Sequence, residues 1–347
     1  MILLPQADAD RIEAAIDAAL AALPRTSDLS FFQDAIRSFV LAGGKRIRPQ
    51  LCVWTWRKTA AAGAIAPAAL YSIACGWELF HAFLLVHDDI IDEAETRRDA
   101  PSLHRILESA GPVSPKIGHD LAIVAGDLLF SAAMHAFNEA DLPLDLYRRQ
   151  LRLFSRIALT TGLGQALDIA QANRPLDDAR EWNLLREYHW KTAAYTFEGP
   201  MLSGAILAGA DESVQQPIAR YSLSLGQAYQ LQNDLIDLAQ PAHEGCDLLQ
   251  GKRTVTLVRA RLAMDEHRRR NFDSMLEELP VGNSAAVGIA EQLRREIIAV
   301  GAIDKTRTLI REFLDDARMA AEEPILPPGL RHGLLGLLDT LGRKYFA

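Results

Sequence analysis

From Ala68 to Ile91 the chain is apolar almost all round, with the run CGWELFHAFLLV at its heart, and it closes on His87-Asp88-Asp89-Ile90-Ile91-Asp92. A helix hydrophobic on every side has no face for water, so it must lie at the centre of a layer of partners. Those partners are helices too. Alternating runs of Val, Ile, Thr and aromatics are scarce while Ala, Leu, Gln, Arg and Glu dominate, which predicts an all-α protein. Helical spacing runs over 10–23, 30–42, 48–62, 68–92, 119–140, 144–172, 177–210, 213–238, 255–264, 268–279, 283–300 and 303–322, with a last helix after Pro328. Breaks fall at Pro24, Gly43-Gly44, Gly111-Pro112, Pro143, Arg174-Pro175, Pro241 to Gly245 and Pro327-Pro328. No long spacer or repeat divides the chain, and its motifs spread from Gly43 to Lys252, so residues 1–347 read as a single domain.

The net charge of -8 argues against nucleic acid as a partner, since a phosphate backbone demands a basic face. Cys52, Cys75 and Cys246 are odd in number and lack CxxC spacing, which points away from a disulfide framework or a zinc site and toward a reducing cytoplasm. The start, MILLPQADADR, has no basic n-region. The Ala-rich run from Thr59 to Cys75 is broken by Gly63 and Pro67, so no membrane span is expected. Any apolar substrate tail is then held in an internal pocket.

Asp88 and Asp92 are four apart and share one helical face, with Asp89 about 100° away. On a solvated helix such a pair is commonplace. Here the acids end a buried helix, at the terminus where the macrodipole already disfavours negative charge, and something cationic must compensate. Hard oxygen ligands suit Mg²⁺, which takes one or two carboxylates along with substrate phosphates. A second set, Asn233-Asp234-Leu235-Ile236-Asp237, again closes an apolar helical run. Two such clusters facing one cavity could grip a diphosphate through metal. Arg97-Arg98 follow the first set, Lys45, Arg46 and Arg48 sit in the turn GGKRIRP, and Lys191, Lys252 and Arg253 complete a basic complement. Each alone reads as a solvated charge; together they describe a site for two diphosphates.

In order and spacing, GGKRIRP, FHAFLLVHDDIIDEAETRR, GDLL, KTA, GQAYQLQNDLID and GKRT resemble the trans (E)-polyprenyl diphosphate synthases over about residues 43–254. The resemblance implies the isoprenoid synthase fold, an orthogonal helical bundle around one deep central cavity, assembled as a homodimer. It implies that Asp88, Asp89 (behind the metal) and Asp92 bind Mg²⁺, three ions in all, with Asn233 and Asp237 on the other side of the allylic diphosphate. Arg97, Lys191 and Lys252 would hold that diphosphate. Lys45, Arg48, His81 and Arg98 look like the isopentenyl diphosphate pocket, and Gln165, Asp168, Thr192 and Gln230 like the lining near the reacting carbons. His81 would ordinarily be taken as a core histidine; its place seven before Asp88 marks it as functional. The implied reaction ionises an allylic diphosphate (dimethylallyl, geranyl or farnesyl), lets the isopentenyl double bond attack, and loses a proton to pyrophosphate. No side-chain nucleophile is needed.

Two departures stand out. Asn233 replaces the usual Asp, a weaker metal ligand, and His243 replaces the Lys expected four before Asp247. Asn at that place also invites comparison with class I terpene cyclases, but Asp237 and Pro241 do not complete their second metal motif, and Arg97-Arg98 with GGKRIRP imply a second diphosphate. A non-catalytic subunit of a heteromeric synthase would be expected to lose the first acid motif, which is intact. Phe83 and Leu84 lie about 6 to 7.5 Å below the metals at 1.5 Å rise per residue, and Phe80 about a turn deeper. By the same resemblance, a bulky floor there and the lack of an insertion within DDIID imply geranylgeranyl diphosphate as product, with farnesyl diphosphate as the alternative.

Overall fold

A computed structural model describes residues 4–60, 67–98, 100–109, 114–172, 180–242, 246–279 and 286–345. The breaks expected at Gly111-Pro112 and Arg174-Pro175, and His243, lie outside the described residues. In chain order the elements are α1 (Gln6–Ala21), α2 (Ser30–Leu41), α3 (Ile47–Thr59), α4 (Pro67–Ile91), β1 (Thr96–Arg97), β2 (Ala100–Pro101), α5 (Leu103–Ser109), α6 (Pro115–Asn138) and α7 (Leu144–Gln171). After these come α8 (Glu181–Tyr188), a π-helix (His189–Glu198), α9 (Gly199–Leu207), α10 (Glu212–Ala239), α11 (Val255–Leu262), α12 (Glu266–Glu277), α13 (Val287–Ala299), α14 (Ala302–Ala321) and α15 (Pro328–Lys344). The all-α expectation holds, with one antiparallel hairpin among the described residues, Thr96 opposite Pro101 and Arg97 opposite Ala100.

The helices sort into two compact units, Met1–Phe154 with Pro200–Asp211, and Ser155–Gly199 with Glu212–Ala347, so α7 contributes to both. In the first, α4 is the core rod. Ile73, Ala74, Trp77, Leu79 and Phe80 are all buried on it, and α1, α3 and α6 pack around it. Full burial of an aromatic of this size is worth about 2–3 kcal/mol. Its one indole donor is satisfied, Trp77 Nε1 donating to Ser203 Oγ at 2.9 Å. In the second unit α10 is the equivalent rod, packed by the π-helix and α14, with Leu231, Leu235, Val255, Leu257, Phe272, Leu293 and Ile297 in one apolar cluster.

Both α4 and α6 are long and apolar enough to cross a membrane by length and composition, although Glu78 interrupts the first and Asp120 and Asp127 the second. The reason is that a rod wrapped by protein needs the same all-round apolarity as one wrapped by lipid: 78% of the α4 window is buried inside the protein, against 44% for α6.

Candidate active site

The acid end of α4 is built by its termination. Asp92 N donates to Asp88 O at 2.8 Å and Ala94 N to Asp89 O at 2.8 Å, and Glu93 turns left-handed at φ 50°, which stops the helix. The hairpin that follows carries Arg97 back over the helix end. Its Nε donates to Asp89 Oδ1 at 2.7 Å, Nη2 adds a second bond to the same oxygen, and Nη2 lies 3.5 Å from Asp88 Oδ2. Asp89 is fully buried. Burial pushes its carboxyl above the usual range, and Arg97 opposes that without cancelling it. Asp88 and Asp92, half-buried, form the outward pair.

Beside this end, His81, Arg97 and Arg98 line a cavity of about 310 Å³ with Arg46, Phe39 and Leu85. His81 is buried, and its pKa is held well below the ordinary value by burial first and then by the charges of Arg48, Arg98, Arg97 and Arg46, so it is a neutral ring. Arg98 Nη1 donates to Gly43 O and lies so close over Gly44 (φ 137°) that a Cβ there would sit 2.7 Å from it. The arginine tip could shift, but at that φ any side chain is strained, so the position favours glycine. Arg48 is buried and Lys45 exposed. Arg46, grouped with the anion-binding bases by the sequence, is instead spent on the fold: Nη1 donates to Glu78 Oε1 at 2.9 Å, Nε to Glu13 Oε1 at 2.9 Å, and Nη2 to Val40 O at 2.9 Å.

Down α4 from the acids runs an aromatic column. Phe83 stacks on Phe80 (5.7 Å, 29°) and meets Phe130 edge-on at 5.3 Å; Phe80 in turn meets Phe154 at 5.2 Å and Trp77 at 6.3 Å. Leu84 is half-buried alongside. Phe130 and Phe154, on α6 and α7, were not singled out in the sequence; only their chemistry, without any spacing to α4, could have flagged them.

In the second unit the π-helix carries Lys191 and Thr192. Lys191 Nζ pairs with Asp168 Oδ2, one turn along α7 from half-buried Gln165. A Cβ on Gly164 would overlap the Lys191 backbone nitrogen, so a glycine lets α7 approach the widened coil. Thr192 Oγ1 donates to Gln230 Oε1 at 3.1 Å, and Gln230 Nε2 to Asp234 Oδ1 at 3.0 Å. The Tyr188 hydroxyl donates to Asp234 Oδ2 and accepts from Val255 N at 3.2 Å. Asp234 is buried, and burial, then the charge of Asp247, pushes its carboxyl up. Glu187 is pushed up likewise, by burial and Asp168. Asp237 Oδ2 accepts from Asp247 N at 3.2 Å, and Lys252 Nζ lies 3.2 Å from Asp247 Oδ1. Asn233 Oδ1 accepts from the hydroxyl of Tyr345, a residue that no motif singles out.

Among the described residues no three His, Cys, Asp or Glu side chains form a ready cage for a metal. Each acid set offers instead one or two carboxylate oxygens toward the outside, Asp88 with Asp92 and then Asp237. That is the protein share of a Mg²⁺ shell completed by phosphate and water, so the residues present fit the ion.

The comparisons agree with this chemistry. A family model described as polyprenyl synthetase matches residues 30–290. The geranylgeranyl pyrophosphate synthase of Geoglobus acetivorans is 30% identical over 314 residues, 88% of this chain and 89% of that protein. The geranylfarnesyl diphosphate synthase of Natronomonas pharaonis is 31% identical over 247 residues, 65% of this chain and 68% of its own. Among solved structures, geranylgeranyl pyrophosphate synthase from Corynebacterium glutamicum, complexed with isoprenyl diphosphate and magnesium, superposes with a TM-score of 0.84 at 26% identity, covering 99% of this chain and 98% of that one.

Proposed function

This chain belongs to the polyprenyl synthetase family, and from that membership we propose that it condenses isopentenyl diphosphate with an allylic diphosphate to give geranylgeranyl diphosphate. The observation that carries the reading is the acid-ended core helix with its aromatic column below: Asp88 and Asp92 at one end, Phe83 one turn down, Phe80 and Phe154 beneath. Arg97, Lys191 and Lys252 take the allylic diphosphate, and Lys45, Arg48, Arg98 and neutral His81 take the isopentenyl diphosphate. Bound Mg²⁺ supplies the positive charge that stabilises pyrophosphate as it departs. We assign three ions, with Asp88 on α4 and Asp92 just past its end as ligands on one side and Asp237 from α10 on the other.

Arg97 is preorganised for its part, because its bonds to Asp89 hold the guanidinium in place before substrate arrives. Aromatic faces along α4 favour a passing allylic cation and keep out the water that would quench it. Gln165, Asp168, Thr192 and Gln230 hold the walls by hydrogen bonds rather than by donating a nucleophile. The proton lost after the carbon–carbon bond forms goes to pyrophosphate.

Exposed Ile117, Ile123, Val124 and Leu128 along α6 support assembly as a homodimer, with that helix as the covered face. Cys52, Cys75 and Cys246 are free and buried, which suits the cytoplasm. The deciding experiment incubates purified protein with labelled isopentenyl diphosphate and each allylic primer in turn, and sizes the products. A twenty-carbon diphosphate is expected; no incorporation with any primer would refute the assignment, and a fifteen-carbon product would make it a farnesyl diphosphate synthase.

A further inference from the structure

Asn233 stands at the head of the second acid set, yet its amide oxygen is already engaged by the hydroxyl of Tyr345. The tyrosine is held firmly enough for that bond to define an orientation. Its ring lies flat on Tyr229, one helical turn before Asn233 on α10 (5.1 Å between centroids, 8° between planes), and Tyr229 in turn abuts Phe197 edge-on at 5.5 Å. The helix that delivers it, α15, is tied to α10 by the buried Tyr221 hydroxyl donating to Leu334 O at 3.0 Å, and to α14 by Arg318 pairing with Asp339 at 2.8 Å. An amide whose oxygen is fixed by a donor turns its NH₂ the other way. An NH₂ cannot ligate a cation, but it can donate to an anionic phosphate oxygen.

We propose that Tyr345 is a positioning residue that turns the Asn233 carboxamide so that its NH₂ serves the diphosphate, making this position a hydrogen-bond donor in place of a metal ligand. The second acid set then contributes Asp237 as its outward carboxylate, Asp234 being taken up by Tyr188 and Gln230. The inference rests on the diphosphate reading above.

The test is calorimetric titration of inorganic pyrophosphate into the full chain, with Mg²⁺ and with chelator, for wild type, Tyr345→Phe, Asn233→Asp and the double variant. Tyr345→Phe keeps the ring on Tyr229 and removes only the hydroxyl. It should weaken metal-free pyrophosphate binding about tenfold, the size of one hydrogen bond to a charged group, without changing Mg²⁺ affinity. Asn233→Asp should weaken metal-free binding further and tighten Mg²⁺-dependent binding, and on that background Tyr345→Phe should have no further effect on metal-free binding. The inference is overturned if Tyr345→Phe leaves metal-free binding unchanged, if it tightens binding as removal of a plug would, if it raises Mg²⁺ affinity as release of a ligand oxygen would, or if wild type binds pyrophosphate only with Mg²⁺. Wild type that binds no pyrophosphate under either condition would refute the diphosphate reading itself.

Discussion

The two acid sets look alike as strings, Asp88-Asp89-x-x-Asp92 and Asn233-Asp234-x-x-Asp237, and the molecule uses them differently. In both, the second residue is a buried tether rather than an outward ligand. Asp89 is tethered by a guanidinium, so its negative charge has a positive partner at 2.7 Å. Asp234 is tethered by neutral donors, the Tyr188 hydroxyl and the Gln230 amide, and among the described residues no cation is seen bonded to it directly. The first residues differ as well, a carboxylate in Asp88 and an amide turned by Tyr345 in Asn233. The first end is thus an anionic site balanced by arginine, and the second a largely neutral scaffold from which one carboxylate, Asp237, projects. A motif counted by letters overstates the charge a site presents, because burial decides which acids face the ligand.

That contrast predicts unequal losses. Asp92→Asn should lower kcat/KM on the order of 10⁴-fold, about 5.5 kcal/mol of transition-state stabilisation, while Asn233→Asp changes it by less than about tenfold. Steady-state kinetics on both variants checks this, and comparable effects would erase the distinction. The first unit also depends on a buried charge pair. Glu78→Ala strands Arg46 and should cost about 3–5 kcal/mol in denaturant unfolding, and a cost below about 1 kcal/mol would show that Glu13 alone suffices. Phe83→Ala should cost about 2 kcal/mol, since the ring is half-buried, and lengthen the product by at least one isoprene unit; an unaltered product profile by chromatography would remove Phe83 as the floor.

The smallest effect lies in the second unit, where Glu198 is its own charge-clamped carboxylate. Burial pushes Glu198 up, but the bond with His189 and the charge of Arg156 pull harder, so its folded pKa lies below the ordinary one. Stability from a depressed carboxylate is present above the unfolded pKa and lost as the pH falls through the folded value. Glu198→Gln should therefore cost about 1.5 kcal/mol at neutral pH, with the difference closing below about pH 4. A pH-independent difference in thermal unfolding would contradict the charge clamp.

The core helix was legible because its apolarity is continuous, and its start and end, expected at 68 and 92, fall at Pro67 and Ile91. The helical stretch expected at 177–210 was legible as helical but not in its interior. A π-helix uses the same residues as an α-helix and differs only in how their amides pair, so periodicity over His189–Glu198 carries no sign of it. The hairpin of two-residue strands was too short to leave an alternation, and α5 beyond it was likewise unread. At the site, the charged residue types were legible and their partners were not. Arg46 and Arg48 are indistinguishable in GGKRIRP, yet one is locked between Glu13 and Glu78. Tyr345 reaches Asn233 across 112 residues, a separation at which no local pattern operates.

Because Arg98 rests on the Gly43 carbonyl, two loops 55 residues apart are geared together. An anion that draws the guanidinium away breaks one of the bonds on the turn that sets out Lys45 and Arg48, and the cost of that bond enters the affinities measured there. Single substitutions among them will not sum to the double or triple substitution, and the shortfall would measure the gear itself.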